Sequence, residues 1–520
     1  MVKETPKSQK VISFAVAATF LCLVCLLLIS FSMQRGLNHD ENQFITSGKL
    51  LSDKFMIPYK DYPYFHMPNL VFVYAVIFKY TDYILLAARI FSVMCASLTL
   101  GLIFFLATHL FKRRHYLVRF LIAAGSIIFL MTNDLFMYTS SLAWNHNLPM
   151  LFMLSAFASH CHGVRQGNEK KWFIVSGLLI GLAAGTRLTF VLAIIPFLVI
   201  MLLYARGTLQ SRKLFLFFSF SSGILLSALP AILMFALAPK EFLFGNLEYP
   251  KFNMLYRQET GYQVAMTATG KLLFFFKDVI MASGNVLMFL SFTLLALSLI
   301  PNAGRAKRSH SFEVTFILIL IPFLLLGSFA PTPSLYQYFY GLLPFCLLAS
   351  LYVIASFDTQ NEKKNWRLKL FVIAIIISVI GSGYKYLHVG NLLSPNEWIP
   401  VQIHNIGVKI ATITGKDKVL TLSPIFPLEG GAEIYEEFVT GPFAWRIGPF
   451  LPENQRRHLK VISRDDLNDF LRRKPPKAIL AGFEGVLEEP LLEYARENGY
   501  KAIRLSARQS LWVAPLDQVK

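Results

Sequence analysis

The chain has 520 residues, of which 55% are hydrophobic, 14% aromatic and only 16% charged. A soluble protein carries roughly 25% charged residues, so this composition excludes an ordinary soluble domain. The net charge is +19, but many basic residues lie in short loops between apolar runs. That is typical of the cytoplasmic loops of membrane proteins and argues against nucleic-acid binding. These loops are "FKRRH" (111–115), "NEKK" (168–171), "RAKR" (305–308) and "NEKKNWRLK" (361–369).

The apolar runs predict a polytopic α-helical membrane protein with about eleven transmembrane helices, since roughly 20 residues cross the bilayer as a helix. The basic loops place the N-terminus in the cytoplasm and, after an odd number of crossings, the C-terminus outside. The predicted spans are, in chain order, about 12–33, 84–110, 117–133 and 146–160, two short helices within 172–205, then 214–238, 271–300, 314–330, 340–357 and 370–388.

Residues 172–205 are predicted to form the helical hairpin, because basic residues flank this apolar run at both ends and require an even number of crossings. The break is predicted at "AAGTRLT", with Arg187 at the tip. An arginine costs roughly 2.5–3.5 kcal/mol at the bilayer centre, so we expect this one at the outer surface, facing the protein interior.

The first external loop, about residues 34–83, carries an acidic pair, Asp40 and Glu41. The loop ends in the apolar stretch "NLVFVYAVIFKY", which is too short to span and is predicted to form a helix at the membrane surface. The simplest interpretation of the pair is two solvated loop acids.

Residues 391–520 are predicted to form a small extracytoplasmic α/β domain, distinct from the transmembrane region 1–390. "KVLTLSPIF" predicts a strand, and "RDDLNDFLRR", "PPKAILAG", "EPLLEYARENGY" and "KAIRL" alternate as helix, strand, helix and strand. The sequence contains no Asn-x-Ser/Thr sequon, which favours the cytoplasmic (inner) membrane of a bacterium over the endoplasmic reticulum.

The stretch "DENQFITSGKLLSDKFMIPYKDYPYFHMP" resembles the first external loop of the GT-C membrane glycosyltransferases, specifically the family 39 group. That group includes protein O-mannosyltransferases and the aminoarabinose transferase of lipid A. An arginine near the outer end of the second helix is also shared, here Arg89 in "LAARIFS", and the resemblance covers about residues 10–390. The matching loop residues are Asp40-Glu41, Phe44, Ser47-Gly48, Pro58-Tyr59-Lys60-Asp61 and Pro68.

The resemblance implies transfer of a sugar from a polyprenyl-phosphate donor, whose tail stays in the membrane lipid, to an acceptor hydroxyl or similar nucleophile. Such an acceptor needs a carboxylate base within hydrogen-bond reach, and the resemblance assigns that role to Asp40. Glu41 would orient Asp40 or a metal ion. Asp134, at the start of the second external loop, could approach the same cavity.

The leaving lipid phosphate gathers negative charge, which cations or a metal ion must meet. Arg89 and Arg187 are predicted to bind it, because a guanidinium group offers two parallel donors to phosphate. The alternative for each is a structural arginine that pairs with a carboxylate or a helix end.

Five further side chains are candidates for substrate binding, with an ordinary loop or interfacial role as the competing interpretation. Two of them are histidines that could also ligate a metal ion. No ligand cluster of useful spacing is visible, so the sequence predicts no metal site and leaves open whether a divalent metal ion is needed. The five are Lys60, His66, His146, Arg257 and Tyr338.

Two other functional classes stay open. A lipid-linked oligosaccharide polymerase or ligase would usually carry its functional loop between later helices. A transporter or flippase would usually show paired repeats with broken helices at mid-membrane, and here one glycine-containing hairpin has no matching second half. The sequence names neither the sugar nor the acceptor, which could be a lipid, a glycan or a protein.

Overall fold

The computed structural model describes residues 7–166, 169–205, 207, 209–262, 266–300, 310–357, 365–386 and 392–515. The predicted domain boundary at 390/391, the basic loop at 305–308 and part of the loop at 361–369 lie outside these residues.

Helices make up most of the first 414 residues. The helices up to the hairpin are α1 (Lys7–Gln34), α2 (His39–Lys54), α3 (Asn69–Ile77), α4 (Ile84–Leu110), α5 (Tyr116–Met131), α6 (Asp134–Ser140), α7 (Asn147–Gln166), α8 (Glu169–Thr186) and α9 (Ile194–Tyr204). The following helices are α10 (Gln210–Ser227), α11 (Leu229–Leu237), α12 (Pro239–Leu243), α13 (Tyr249–Glu259), α14 (Ala268–Phe274), α15 (Asn285–Leu297), α16 (Ser311–Phe329), α17 (Leu342–Ser356), α18 (Trp366–Ser382) and α19 (Ile399–Thr414).

Within the described residues, four helices are long and apolar enough to cross a membrane, or up to seven if each of three bent helix pairs is one span. The predicted total of eleven spans stays a prediction. The predicted hairpin break is confirmed: α8 ends at Thr186, Arg187 is extended (φ −147°, ψ 112°), and a 3₁₀ turn at Leu188–Ala193 leads into α9.

Two predicted spans are bent rather than straight. The prediction of one helix over 271–300 is wrong, because the segments Ala268–Ile280 and Asn285–Leu297 meet at 103°. The turn depends on Gly284, whose φ is +78° and where a Cβ atom would overlap the carbonyl oxygen of Thr132. The predicted span 214–238 is divided into α10 and α11, which meet at 50°. The predicted span 117–133 is present as the single helix α5, and α6 follows it at an angle of 78°.

The first external loop is also more ordered than predicted. Its acidic pair begins a helix of 16 residues, α2, that the sequence analysis took as loop. The short apolar helix predicted after it is present as α3. The two helices pack closely at Gly48, where a Cβ atom would stand only 3.1 Å from the ring of Phe78.

Glycines allow α8 and α10 to approach each other closely. A Cβ atom at Gly177 would overlap the carbonyl oxygen of Phe220, and a Cβ atom at Gly223 would overlap that of Ile174. Small residues at such positions are the usual way in which membrane helices bring their backbones together.

Replacement of Gly177 by alanine is therefore expected to lower the stability of the protein by about 1–3 kcal/mol, because α8 and α10 must move apart. The thermal unfolding midpoint in detergent measures the effect. Gly101→Ala is the matched control, since Gly101 lies within α4 and nothing stands within 4 Å of its Cβ position. Equal midpoints for the two variants would contradict the packing argument.

The C-terminal segment, residues 392–515, contains one five-stranded sheet of order β2-β1-β3-β5-β4. β1 is parallel to β2 and β3, and β5 is antiparallel to β3 and β4. The predicted alternation of helix and strand is present, with shorter strands and two strands that were not predicted. The elements are β1 (Lys418–Leu420), α20 (Ile425–Glu429), β2 (Glu433–Ile434), α21 (Pro442–Ile447), α22 (Glu453–Leu459), α23 (Leu467–Arg473), β3 (Ala478–Ala481), α24 (Glu489–Glu497), β4 (Lys501–Arg504) and β5 (Ser510–Val513).

The C-terminal segment packs directly on the helices that carry the acidic pair. One apolar core joins side chains of α2, α3 and α4 to side chains of α19, α20 and the sheet. The buried carboxylate of Glu429 accepts a hydrogen bond from the backbone N–H of Leu85 at 2.7 Å. The Asn42 side chain accepts one from the backbone N–H of Ile425 at 3.4 Å. This segment is therefore positioned to contribute walls to any site at the start of α2.

Candidate functional site

A capping box fixes the acidic pair at the start of α2. The Asn38 side chain accepts a hydrogen bond from the backbone N–H of Asp40 at 2.9 Å, and Glu41 accepts one from the backbone N–H of Asn38 at 3.0 Å. The stretch "NHDE" is the sequence signal for this cap. Glu41 also accepts from the backbone N–H of Ala143. The cap therefore ties the first turn of α2 to the chain that follows α6.

Glu41 and Arg89 form a fully buried ion pair. Arg89 donates Nε and Nη2 to the two carboxylate oxygens of Glu41, at 2.9 and 2.7 Å. Its other N–H groups go to the backbone carbonyl oxygens of Ser32, Arg35 and Gly36. All five donors of the guanidinium group are thus used within the protein. This geometry favours the structural alternative for Arg89 over the predicted role in phosphate binding.

Asp40 differs from its neighbour because its side chain is 25% exposed. Its carboxylate lies 4.0 Å from the His39 imidazole and acts electrostatically on both Arg187 and Glu484. Burial lowers the pKa of His39. The charges of Arg446 and Arg257 lower it further, whereas the charge of Asp40 opposes the shift. Asp40 is therefore the accessible member of the pair, flanked by groups from two cavities.

The first of these, the hairpin cavity, has a volume of about 680 Å³ and includes Arg187, Asn145, Lys251 and Tyr338 in its lining. Arg187 donates Nη1 to Asn145 at 3.2 Å, and its guanidinium carbon lies 4.6 Å from the ring centroid of Tyr338. Among the described residues, its Nη2 has no hydrogen-bond partner. Arg187 and Tyr338, two predicted site residues, are thus brought together with a spare donor beside a large cavity.

His66 and His146 adjoin the same arginine. Burial and, to a smaller degree, the charge of Arg187 lower the pKa of His66 to about 3. The Nε2 atom of His146 lies 2.7 Å from Nη1 of Arg187 and accepts a hydrogen bond from it. The imidazole of His66 lies against the ring of Phe44, with the ring centroids 5.0 Å apart and the planes tilted by 35°. The two histidines therefore position neighbouring groups.

The second cavity, the C-terminal cavity, has a volume of about 760 Å³. Arg257 of α13 lines it, as predicted for substrate binding, and lies over the ring of Tyr262 at 5.0 Å. His39, next to Asp40 in the chain, forms part of its wall. The remaining wall comes from the C-terminal segment and includes Arg446 and Glu484, which form an ion pair at 3.2 Å.

Asp134 lies in a third, smaller cavity of about 400 Å³, which Arg35 and Tyr138 also line. Its carboxylate pairs with the Lys385 ammonium group at 2.6 Å. Tyr138 connects this cavity to the acidic pair, because its hydroxyl interacts electrostatically with both Asp40 and Arg35. The structure thus puts Asp134 beside the Asp40 region, with a cation as its nearest partner.

Lys60 is exposed and is not among the residues that line these three cavities. It lies in the turn after Tyr59, and its backbone carbonyl oxygen accepts a hydrogen bond from the Lys460 side chain at 2.5 Å. Asp61 closes the turn by accepting from the backbone N–H of Ile57. The geometry favours an ordinary loop role for Lys60.

The predicted acids do not form a metal-binding group. Glu41 forms an ion pair with Arg89, and Asp134 forms one with Lys385. In the part of the chain that the structure describes, no three His, Cys, Asp or Glu side chains come together as metal ligands.

Known proteins resemble the chain mainly in their fold. A sequence model of the family described as dolichyl-phosphate-mannose-protein mannosyltransferase matches residues 65–234, fewer than half of the chain. No curated protein matches the sequence. The crystal structure of ArnT from Cupriavidus metallidurans in the apo state aligns with a TM-score of 0.58 and 14% identity, over 97% of this chain and 97% of that one. The same enzyme bound to undecaprenyl phosphate aligns with a TM-score of 0.57 and 14% identity, over 98% and 99%.

The chain has the GT-C fold. The predicted resemblance is thereby confirmed at the level of the fold, and the GT-C fold makes the chain a multi-pass helical membrane protein. The alignment with ArnT includes the C-terminal segment, which the sequence analysis could not assign. The mannosyltransferase match begins at Phe65 and does not contain Asp40 or Glu41, so those two residues rest on their own geometry.

Several residues of the candidate site were missed by the sequence analysis. Asn145 and Lys251 line the hairpin cavity, and Arg446 and Glu484 line the C-terminal cavity. Lys251 had a local signal, since it lies in the aromatic-rich loop that also carries Arg257. Arg446 and Glu484 had none, because only the packing of the C-terminal segment brings them near the start of α2.

Proposed function

We propose that the chain is a membrane glycosyltransferase that transfers a sugar from a polyprenyl-phosphate-linked donor to an acceptor at the outer face of a bacterial cytoplasmic membrane. Asp40 would act as the general base. The observation that carries this proposal is the position of Asp40: it is a partly exposed carboxylate, fixed at a helix start, next in the chain to His39 in the wall of the C-terminal cavity, and its charge acts at long range on Arg187 in the wall of the hairpin cavity. A transferase needs such an arrangement for its donor and its acceptor.

The hairpin cavity is the proposed donor site. Its Arg187 keeps an N–H group directed at no described protein partner, and Lys251 adds a second cation to the lining. A guanidinium group is well suited to the phosphodiester of the donor and to the phosphate monoester that leaves. The structural similarity to an ArnT bound to undecaprenyl phosphate supports a polyprenyl phosphate as the carrier.

In the proposed reaction, Asp40 accepts the proton of the acceptor nucleophile as that atom attacks the anomeric carbon. The bond between this carbon and the phosphate oxygen breaks, and polyprenyl phosphate leaves with the bonding electrons. Arg187 meets the negative charge that gathers on the phosphate. A single displacement requires attack from the face opposite the phosphate, so the proposed reaction inverts the anomeric configuration.

Glu41 and Arg89 are positioning residues in this scheme. The capping hydrogen bond of Glu41 holds the first turn of α2, and the buried ion pair with Arg89 fixes the position of that carboxylate. Preorganisation of this kind keeps a base in reach of its proton without rearrangement during the reaction. Asp134 is proposed to act through Lys385 and Tyr138, at the edge of the same region.

Replacement of Arg187 by glutamine is expected to raise the KM for the lipid donor by about 10–100-fold, which corresponds to the loss of one charge-assisted phosphate contact. Binding of radiolabelled polyprenyl phosphate to purified protein gives an independent measure of the same effect. Arg457→Gln is the control, because Arg457 is 80% exposed in the C-terminal segment. Unchanged donor binding in Arg187→Gln would remove Arg187 from the donor site.

The proposed function is tested by supplying purified protein with radiolabelled sugars on polyprenyl monophosphate or on polyprenyl pyrophosphate, together with membrane-extracted acceptors. Release of label from the monophosphate carrier supports the proposal. Turnover of the pyrophosphate donor alone would favour a polymerase or ligase. Transport of donor across vesicles without any turnover would favour a flippase.

A further inference from the structure

Residues of α13 and of the C-terminal segment enclose the C-terminal cavity, together with His39, the neighbour of Asp40 in the chain. Two ionisable side chains of the segment face each other in its wall. Arg446 and Glu484 pair at 3.2 Å, and their side chains are only 10% and 6% exposed. Asp40 is electrostatically coupled to Glu484, and His39 lies in the cavity lining.

This ion pair leaves hydrogen-bonding groups unused. Among the described residues, Nε of Arg446 and Oε1 of Glu484 are buried without a hydrogen-bond partner. A buried polar atom without a partner is costly and calls for an explanation, such as a ligand that supplies the bond. The Nε atom of Arg446 is a hydrogen-bond donor. The Oε1 atom of Glu484 belongs to a carboxyl group and lies on the other side of the same ion pair.

The carboxyl group of Glu484 can serve in either protonation state near neutral pH. Burial raises its pKa to about 7, although the charge of Arg446 opposes the shift. A hydroxyl group suits both states, because it can donate to the carboxylate or accept from the carboxylic acid. A phosphate is less well suited, because its negative charge is repelled by the ionised form of Glu484.

Aromatic side chains provide the rest of the recognition surface. Trp445, Tyr256 and Tyr262 line the cavity. Trp445 is held in place because its indole N–H donates to the backbone carbonyl oxygen of Leu487 at 3.1 Å. Flat apolar rings beside a paired donor and acceptor are suited to a molecule with both C–H faces and adjacent hydroxyl groups.

Resting on the proposed function, we propose that the C-terminal cavity is the acceptor site and that it takes a carbohydrate acceptor, with adjacent hydroxyl groups bound between Arg446 and Glu484. The glycan would enter from the side of the C-terminal segment. One of its hydroxyl groups would reach Asp40 past His39, while the lipid donor occupies the hairpin cavity. The site thus selects a polyol over a peptide or a free phosphate.

The test measures binding of three tetrasaccharides, maltotetraose, chitotetraose and tetragalacturonate, to full-length protein in detergent by tryptophan fluorescence. Tetraalanine and inorganic phosphate serve as the competing ligand classes. The variants are Glu484→Gln and Arg446→Lys, which keeps the charge but removes the Nε–H group. Glu436→Gln is the matched control, since Glu436 forms an ion pair with Lys418 at 2.6 Å elsewhere in the segment. Binding of radiolabelled polyprenyl phosphate is followed in parallel.

We expect saturable binding of at least one tetrasaccharide by the wild type and the control, weakened about tenfold or more in both cavity variants. Binding of polyprenyl phosphate should stay unchanged in those variants, which a merely structural role would not predict. Failure of all three tetrasaccharides to bind the wild type, equal binding by Glu484→Gln, or preferential binding of tetraalanine or phosphate would overturn the proposal. Tetrasaccharide binding in a protein that neither binds polyprenyl phosphate nor transfers sugar would instead overturn the proposed function.

Discussion

Replacement of Asp40 by asparagine is expected to abolish sugar transfer in a protein that stays folded and inserted in the membrane. The amide is close in size to the carboxylate but cannot accept the acceptor's proton. General-base catalysis contributes typically about 10²–10⁴-fold, so kcat should fall by at least that range. Transfer of radiolabelled sugar from polyprenyl phosphate, with wild type beside variant, measures the loss.

Asp53→Asn is the control for this prediction, because Asp53 lies on the same helix, is 45% exposed and pairs with Lys49 at the other end of α2. It should retain wild-type activity. Donor binding should persist in Asp40→Asn, since the donor is expected to be held by Arg187. Normal turnover by Asp40→Asn would contradict the assignment of Asp40 as the general base.

Replacement of Arg89 by methionine is expected to destabilise the protein by about 3–5 kcal/mol, the usual cost of leaving one partner of a buried ion pair without the other. Glu41 would remain as a carboxylate with no exposure, and three backbone carbonyl oxygens would lose their donor. The thermal unfolding midpoint, or unfolding in a denaturing detergent, reports the change.

The double variant Glu41→Gln/Arg89→Met separates a structural role from a role in donor binding. If the arginine serves mainly to neutralise Glu41, the double variant should be more stable than Arg89→Met alone, as a double-mutant cycle would reveal. The residual activity of Arg89→Met should show a near-normal KM for the lipid donor. A large rise in KM with little loss of stability would restore Arg89 to the donor site.

The long apolar helices could be predicted because their hydrophobicity is local: α1, α4 and α16 begin and end within a few residues of their predicted bounds. The helix α2 could not, since it buries polar side chains such as Asn42 and Gln43 against other parts of the fold. The sharp turn at Gly284 likewise depends on contact with Thr132, far away in the sequence.

The candidate site, like the fold, depends partly on local sequence and partly on contacts between residues that are far apart in the chain. The sequence singled out Asp40 and Arg187, and in the folded protein the charge of Asp40 acts on Arg187 at long range. The sequence could not distinguish the roles of Glu41 and Arg89. An arginine whose donors are all used in an ion pair and an arginine that is free to bind phosphate cannot be told apart without the fold. The sequence did not indicate Glu484 for a related reason: its partner Arg446 lies 38 residues earlier, and the cavity that both residues line also includes His39 and residues of α13.

The hydrogen bond between Asn42 and Ile425 joins residues 383 positions apart. At ~5–20 residues per second of synthesis, roughly 20–80 s would pass on the ribosome between the synthesis of Asn42 and that of its partner Ile425. Until then, the helix that carries the base has an incomplete set of contacts. A newly made chain therefore becomes competent only when nearly finished, and a prematurely terminated one would present unsatisfied polar groups to the proteases of membrane quality control.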